Sequence, residues 1–217
     1  MKYSNMFITG SDSNTEWQLP WFIENYYQHN DIPLRIVDFG LSDKMKTRFQ
    51  DRILPLNDFA SHWFKKPAAM VEATKHADNI CWLDTDCEVR TDISSIFSHI
   101  VFNKLCMVVD QPWTTRRGEK WHNSGVVAFT QLPVILNHWF QETQLILEDK
   151  DPMYGDQDVL HELVRTGMNR IVHITDLPKQ YNTLRLDILD NTAPNKIDIM
   201  HWTGHKGNEE IRKQMGG

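Results

Sequence analysis

The sequence contains few cysteines and lacks long apolar runs, and both shortages restrict what the protein can be. Its three cysteines, Cys81, Cys87 and Cys106, stand in mostly apolar surroundings. A small, odd number of this kind predicts reduced core residues in a cytosolic compartment. No run of about 18 apolar residues occurs, so we expect no membrane-spanning helix. The amino terminus, MKYSNMFITG, lacks the apolar core and cleavage site of a signal peptide, and we therefore expect a cytoplasmic protein.

Positive charge is also in short supply. The 23 Lys and Arg residues are outnumbered by 29 Asp and Glu residues, which gives a formal net charge of -6. A surface that binds duplex nucleic acid needs the opposite balance, so we expect no nucleic-acid partner. An acidic protein that binds an anionic ligand needs local positive charge, and a bound metal ion is one source of it. Eight tryptophans are present, and they either fill the core or line a pocket for a ring-shaped ligand.

Strands and helices alternate along the chain, which predicts an α/β protein with a largely parallel central sheet flanked by helices. We expect strands at residues 6–9, 34–38, 79–83, 105–109, 125–129, 171–174 and 197–200. We expect helices at residues 17–29, 68–76, 134–147 and 156–167, and a short helix or turn at 93–97. Pro67 suits the first position of the second helix. With no internal repeat or low-complexity segment, residues 1–217 are expected to form one domain.

Two carboxylates follow a strand that is expected to be buried. Asp84 and Asp86 come directly after Ile80-Cys81-Trp82-Leu83, and ligands of such sheets collect beyond the carboxyl ends of the strands. In an extended chain, residues two apart point to the same side, so both carboxylates face one ligand and Thr85 faces away. Two carboxylates suit Mg²⁺ or Mn²⁺, which can bridge two phosphates of a nucleotide diphosphate. The alternative is a solvated strand end with Asp84 capping the next turn. Asp-x-Asp is a weak signal when taken alone, and without other motifs this alternative is favoured.

A histidine follows the last predicted strand, in His201-Trp202-Thr203-Gly204-His205-Lys206-Gly207. The imidazole of His201 could be a third metal ligand, and a nitrogen donor favours Mn²⁺ over Mg²⁺. Gly204 and Gly207 would let backbone amides approach phosphate closely, while Lys206 would add a point charge. The alternative is a surface loop with a capping histidine, which is the commoner situation for a lone histidine.

Polar residues also precede the strand at 125–129 and the helix at 156–167. Asn123 and Ser124 could form hydrogen bonds with sugar hydroxyls, and Gly125 would permit close approach. Asp156 could bind a hydroxyl with Gln157 facing the reacting carbon. The alternatives are a turn at Asn123 and Ser124, and an acidic helix start at Asp156.

The order and spacing of these motifs resemble the GT-A glycosyltransferases, especially the family 8 group that includes glycogenin and bacterial lipooligosaccharide galactosyltransferases. The motifs are Asp84-Thr85-Asp86, Asn123-Ser124-Gly125-Val126, Asp156-Gln157-Asp158 and His201-x-x-Gly204-x-Lys206, with Lys66-Pro67 ahead of them. The likeness runs from residue 6 to residue 207. It implies a GT-A fold with a Rossmann-like, mostly parallel sheet. It also implies a nucleotide-sugar donor, a UDP-sugar by analogy, a divalent metal that is usually manganese, and transfer with retention of the anomeric configuration.

The resemblance also assigns roles to individual residues. Metal ligands are implied at Asp84, Asp86 and His201, with Asp84 also near the ribose. Donor-binding roles are implied for residues that contact the nucleoside, the diphosphate or the sugar: Thr9, Gly10, Asp12, Lys66, Asn123, Ser124, Gly204 and Lys206. Gln157 and Asp156 are implied as the catalytic residues beside the transferred sugar, and the acceptor is implied to be a glycan or another hydroxyl compound.

The chain departs from the family pattern after Lys206, where Gly207-Asn208-Glu209-Glu210 stands in place of the frequent Pro-Trp. The C-terminal helices that many members use for acceptors or dimers are also missing from the sequence. It therefore resembles a minimal domain of the kind found in large DNA viruses and phages, which would act in the cytoplasm of an infected cell, or one domain of a longer protein. The acceptor class and the oligomeric state stay open.

Two other functions use similar residues. A haloacid-dehalogenase-type phosphatase also has Asp-x-Asp after an apolar strand, but it prefers Thr or Val at the position where this chain has Glu88. A non-catalytic module that binds nucleotide sugars or glycans would keep the same fold and the same donor contacts. Binding alone cannot separate that module from an enzyme, whereas hydrolysis or transfer of the donor can.

Overall fold

A seven-stranded sheet forms the centre of the protein in a computed structural model, which describes residues 2–57, 60, 64–146, 154–167 and 170–216. Its strands lie in the order β3-β2-β1-β4-β7-β6-β8, and a smaller sheet has the order β5-β10-β9. The strands are β1 (Tyr3–Ser11), β2 (Leu34–Asp38), β3 (Ile53–Pro55), β4 (Ala77–Leu83), β5 (Cys87–Val89), β6 (Leu105–Val109), β7 (His122–Thr130), β8 (Ile174–Asp176), β9 (Thr183–Leu184) and β10 (Ile199–His201).

Helices cover both faces of the central sheet. They are α1 (Leu19–Tyr27), α2 (Asp43–Arg48), α3 (Lys65–Ala73), α4 (Gln111–Arg117), α5 (Val134–Gln144), α6 (Asp156–Thr166), α7 (Arg170–His173), α8 (Arg185–Leu189) and α9 (Gly204–Gln214). The core has two parts, one on each face of the sheet, because successive side chains of β1 point to opposite faces. Phe7 packs with α1 on one face, while Met6 and Ile8 pack with α3, α5 and α6 on the other. The predicted α/β class is therefore confirmed. Among the described residues, none of the helices combines the length and the apolar character that a membrane span requires.

One strand of the central sheet runs against the others. β7 is antiparallel to both of its neighbours, β4 and β6, while the remaining pairs are parallel. The start of β7 therefore lies at the same edge as the carboxyl ends of the other six strands. This reversal brings Asn123 and Ser124, at the beginning of β7, beside Asp84 at the end of β4.

The last predicted strand belongs to the smaller sheet. The prediction of residues 197–200 was two residues early at its start, and β10 pairs His201 with Cys87 of β5 and with Leu184 of β9. Because β5 follows Asp86 directly, this pairing carries His201 across to the Asp84–Asp86 turn.

Three other expectations need correction. Residues 171–174 were expected to form a strand, but α7 occupies 170–173 and only Ile174 belongs to β8, which pairs with β6. Val172 is exposed, so its β-branched side chain finds no buried sheet surface to pack against. Pro67 was expected at the first position of its helix but is the third residue of α3. A helix tolerates proline throughout its first turn, because the amides there lack intrahelical partners. Helix α5 ends at Gln144, and residue 147 lies outside the described residues.

The buried residues agree with two of the compositional expectations. Cys81, Cys87 and Cys106 are all free and buried, as their apolar surroundings predicted. Trp82 and Trp139 are among the largest fully buried side chains, so part of the tryptophan content serves the core.

Candidate active site at the carboxyl edge of the sheet

A cavity of about 770 Å³ opens at the edge where β1, β4 and the start of β7 meet. Most of the residues predicted from the motifs line it: Gly10, Asp12, Lys66, Asp84, Asp86, Asn123, Ser124, Asp156, Gln157 and His201. Within the described part of the chain, the predicted residues Thr9, Gly204 and Lys206 do not line it. Thr9 is buried, whereas Gly204 and Lys206 are exposed at the start of α9.

The metal ligands predicted from sequence converge at one end of the cavity. His201 Nε2 lies 3.0 Å from Asp86 Oδ1 and 3.9 Å from Asp84 Oδ2. The route differs from the expected extended stretch, because residues 84–87 form a turn in which the Cys87 amide donates to the Asp84 carbonyl at 3.1 Å. The carboxylates meet through this turn and through the pairing of β10 with β5, not through a shared strand face.

The chemistry of these donors fits a divalent cation. Burial alone would lower the pKa of His201, but the Asp86 carboxylate and then Asp84 outweigh it and raise that pKa. The Sγ of Cys87 also lies within 4.8 Å of ligand atoms of Asp86 and His201, but burial holds the pKa of its thiol well above the ordinary value. A bound metal deprotonates a coordinating thiol, so Cys87 stays a candidate ligand beside the two carboxylates and the imidazole, which suit Mn²⁺ or Mg²⁺.

The carboxylate of Asp84, directly after β4, receives hydrogen bonds from two side chains. The indole Nε1 of Trp82 donates to Asp84 Oδ1 at 2.6 Å, and Lys66 Nζ lies 3.0 Å from the same oxygen. Charge-assisted hydrogen bonds of this kind fix the rotamer of a carboxylate. Asp84 is therefore preorganised, while Asp86 contacts the imidazole of His201.

Lys66 connects Asp84, a predicted metal ligand, to Asp156 and Ser124. Its ammonium lies 3.1 Å from Asp156 Oδ2, 3.2 Å from Ser124 Oγ and 3.3 Å from the Ser124 carbonyl, in addition to Asp84. Burial would lower the pKa of Lys66, but the Asp156 and Asp84 carboxylates outweigh it and raise that pKa. The predicted basic group is in the cavity, where it joins two carboxylates; contact with phosphate or sugar stays a prediction.

Asp156 lies in the first turn of α6, as the alternative of an acidic helix start predicted, but it does not cap the helix. Gly155 is the N-cap of α6, and Asp158 Oδ2 accepts the Gly155 amide at 2.9 Å. The carboxylate of Asp156 is thereby left to face Lys66, and burial raises the pKa of Asp156 although Lys66 opposes the rise.

Gln157 sits in a fixed amide network beside Asp156. Its Oε1 accepts from Asn123 Nδ2 at 3.1 Å and from the Ser124 amide at 3.0 Å, and its Nε2 donates to Asp110 Oδ2 at 3.4 Å. Asp110 follows β6 directly and belongs to none of the sequence motifs. It is buried, it also caps α4 through the Trp113 amide, and burial raises the pKa of its carboxyl.

Two glycines of the motifs give room to protein side chains. A Cβ on Gly125 would lie 2.1 Å from His201 Cε1, and a Cβ on Gly10 would lie 2.3 Å from Phe39 Cζ. Gly125 lines the cavity, and the space beside it holds the His201 ring; the close approach of a sugar there stays a prediction. Gly10 admits Phe39, which stacks on Trp82 with ring centroids 6.0 Å apart.

The nucleoside end, as implied by the resemblance, lies where β1 ends. Asp12 Oδ1 accepts from the Asn14 amide at 2.9 Å and from the Thr15 amide at 3.0 Å, which shapes the turn after β1. Asn14 and Thr15 line the cavity beside Asp12. Sequence reasoning missed both, because polar residues in a turn carry no signal beyond the turn itself.

Gln18 joins three segments around the cavity, and it too was missed. Thr85 Oγ1 donates to Gln18 Oε1 at 2.5 Å, and Gln18 Nε2 donates to Asn208 Oδ1 at 2.8 Å. Thr85 therefore bonds to Gln18, while His201 contacts Asp84 and Asp86. Thr85 also lines the cavity, and its orientation away from a cation stays a prediction.

The expected phosphate loop at residues 204–207 is the first turn of α9. Gly204 opens the helix with a positive φ of 74°, and Gly207 packs against Trp202, whose carbonyl oxygen would lie 1.8 Å from an added Cβ. Thr203 and Asn208, which flank this turn, line the cavity.

Comparisons with known proteins identify the fold. No protein-family model matches the chain, and no curated protein matches it in sequence. A structure of the galactosyltransferase LgtC in complex with donor and acceptor sugar analogs superposes with a TM-score of 0.65 at 14% identity, over 97% of this chain and 95% of that one.

Two further structures agree. The glycosyltransferase GlyE of Streptococcus pneumoniae TIGR4 matches with a TM-score of 0.64 at 15% identity, over 94% of this chain and 55% of that one. A glycosyltransferase involved in the glycosylation of the major capsid of PBCV-1 matches with a TM-score of 0.62 at 12% identity, over 99% and 100%. The protein therefore has the GT-A glycosyltransferase fold that the motifs predicted.

Proposed function

We propose that the protein is a metal-dependent glycosyltransferase that moves a hexose from a nucleotide-sugar donor, a UDP-sugar, to a hydroxyl of a glycan or another acceptor with retention of configuration. One observation carries the proposal. A single cavity holds the Asp86–His201 pair at one end and the Asp156–Gln157 pair at the other, with Lys66 between Asp84 and Asp156.

Asp84, Asp86 and His201 are the residues that would hold the cation. When bound, Mn²⁺ or Mg²⁺ supplies positive charge that neutralises the leaving diphosphate. Asp84 is fixed by Trp82 and Lys66, so this end of the cavity is preorganised for a cation.

The start of α9 supports a diphosphate beside the cation. The first amides of a helix have no intrahelical partner and bear partial positive charge, which suits phosphate oxygens. Thr203 and Asn208 border the cavity at this helix start. Lys206 lies in the first turn of α9, exposed and outside the cavity lining. The contacts of Gly204 and Lys206 with phosphate are part of this proposal.

At the far end, Asp156, Gln157 and Asn123 would surround the transferred sugar. The amide of Gln157 is held by three hydrogen bonds, so it can present a fixed dipole to a reacting centre without reorganising. Asp156 carries a charge that Lys66 compensates. Asp156 and Gln157 are the candidates for the residue that faces the anomeric carbon.

A panel of nucleotide sugars tests this function. With Mn²⁺, we expect release of the nucleotide from one donor or a few, strongly reduced in Gln157→Ala and abolished in Asp86→Ala. The exposed Asp78, which pairs with Lys2, supplies the control variant Asp78→Ala with unchanged turnover. Metal-dependent binding without release from any donor would contradict the proposed transferase and would instead indicate the non-catalytic module.

A further inference from the structure

Asn182 lies behind the His201 ring. It is fully buried, it follows the 3-10 turn Lys179–Tyr181, and it immediately precedes β9. Because β9 pairs in parallel with β10, the smaller sheet holds Asn182 against His201. In the described part of the chain Asn182 does not line the cavity, so it reaches the site only through other side chains.

The hydrogen bonds around Asn182 have a defined direction. The Gly125 amide donates to Asn123 Oδ1 at 2.9 Å, and a backbone N–H can only donate, which places the Asn123 oxygen there. Asn182 Nδ2 donates to this same oxygen at 2.8 Å. The oxygen of Asn182 is then the atom that faces His201 Nδ1, at 3.0 Å.

The direction of this chain determines which imidazole nitrogen carries the hydrogen. An amide oxygen only accepts, so His201 Nδ1 must donate. In the neutral imidazole the lone pair is then on Nε2, the atom that lies 3.0 Å from Asp86 Oδ1. The His201 ring packs closely against Gly125, since a Cβ on Gly125 would lie 2.1 Å from His201 Cε1.

We propose that Asn182 is a positioning residue that keeps the hydrogen of the neutral His201 ring on Nδ1 and thereby presents Nε2 to the cation. The inference rests on the proposed metal site. Without the Asn182 acceptor, the hydrogen can move to Nε2, where the Asp86 carboxylate accepts it and the cation loses a ligand. Loss of a hydrogen bond behind a metal ligand typically weakens metal binding by about 10–100-fold.

Two variants of Asn182 separate the acceptor from the rest of the side chain. Asn182→Leu keeps a similar shape and removes both hydrogen bonds. Asn182→Asp loses the donor to Asn123 but keeps an oxygen for His201 Nδ1. Calorimetry with Mn²⁺ alone should show about 10–100-fold weaker binding for Asn182→Leu, and a clearly smaller loss for Asn182→Asp. Equal affinity of Asn182→Leu and the wild type, or equal losses in the two folded variants, would overturn the proposal.

Nitrogen-15 NMR of the wild type tests the same point without relying on a variant's folding. At a pH where the metal-free imidazole is neutral, the His201 resonances, assigned with His201→Ala, should show a protonated Nδ1 and an unprotonated Nε2. A protonated Nε2 would overturn the role of Asn182. Wild-type protein that shows the Nδ1–H form but binds no Mn²⁺ would instead contradict the proposed metal site, so the two failures are distinguishable.

Discussion

At the scale of single residues, the site depends on side chains that fill the space beside the metal ligands. Gly125, which was expected to permit close approach of a sugar, also makes room for the His201 ring. Asp156, which looked like a helix cap, is relieved of capping by Gly155 and Asp158 and faces Lys66. In both places the neighbouring side chain, which the local motif cannot show, decides the role.

Gly125→Ala should damage the metal site directly. The new Cβ would meet the His201 ring at 2.1 Å, so the ring must move. We expect Mn²⁺ affinity to fall by about tenfold or more, with a loss of stability of roughly 1–3 kcal/mol from overpacking. Gly167→Ala is the control, because its Cβ would meet only the Leu163 carbonyl at 3.8 Å. Unchanged Mn²⁺ affinity in Gly125→Ala would argue against His201 as a ligand.

Lys66→Met should destabilise the fold by about 3–5 kcal/mol, because it leaves the carboxylates of Asp84 and Asp156 without their buried partner. Burial already raises the pKa of Asp156, and Lys66 opposes that rise, so the variant should raise the pKa further. A carboxyl whose pKa is higher in the folded than in the unfolded state regains stability as pH falls through the folded pKa. Urea titrations should therefore show the loss shrinking in acid.

The exposed pair of Lys2 and Asp78 gives the matched control for that comparison. Lys2→Met is expected to change the unfolding free energy by less than about 1 kcal/mol at any of these pH values. A deficit of Lys66→Met that is as small as this, or that grows as pH falls, would show that Lys66 does not compensate Asp156.

The residues that sequence reasoning found and missed differ in one respect. Asp84, Asp86, His201 and Asp156 were identified because several short motifs occur in one order. Gln18 and Asn182 belong to no motif, and each acts by spanning segments that are far apart in the chain. Such contacts exist only after folding, and nothing in the local pattern predicts them.

At the scale of elements, several strands and helices were predicted, but helix α9, with eleven residues, was missed because its start was expected to be a phosphate-binding loop. The strands at 34–38 and 105–109 were predicted with their correct bounds. Residues 105–109 form an apolar run of five, and residues 34–38 contain three apolar residues, two of them β-branched. β5, β9 and β10 have two or three residues each, too few for alternation to show. Of the smaller sheet, which delivers both His201 and Asn182, the sequence therefore indicated only β10, through the predicted strand at 197–200.

Helix α9 offers an element-scale prediction. Gly207→Ala would place a Cβ 1.8 Å from the Trp202 carbonyl oxygen, and because this contact is with backbone the start of the helix must shift. We expect Thr203 and Asn208 to move away from the cavity, and UDP binding in the presence of Mn²⁺ to weaken while Mn²⁺ binding alone changes less. Full UDP affinity in folded Gly207→Ala would count against a diphosphate at this helix start.

At the scale of the whole molecule, the direction of one strand brings the residues of the candidate site to one edge of the sheet. β7 runs against its neighbours, so its beginning joins the carboxyl ends of the parallel strands. Alternation along a sequence shows that a strand exists but not which way it runs, and only the resemblance of the ordered motifs indicated the complete fold. At identities of 12–15%, the similarity to solved glycosyltransferases lies in the backbone and not in the bulk of the side chains.

The overall charge makes the metal central to the account. A protein with a formal net charge of -6 and several carboxylates in its cavity should repel a diphosphate unless a cation lies between them. Its main buried cation in the described part of the cavity, Lys66, is already engaged by Asp84 and Asp156. Donor binding is therefore expected to depend on the ion proposed to bind Asp84, Asp86 and His201.

Calorimetry of UDP binding with and without Mn²⁺ tests this dependence most directly. We expect the wild type to bind UDP roughly tenfold or more tightly when Mn²⁺ is present, a gain of about 1.4 kcal/mol or more. Asp86→Ala should lose this difference, and Asp78→Ala should keep it. Equal UDP affinity of the wild type with and without Mn²⁺ would contradict the account.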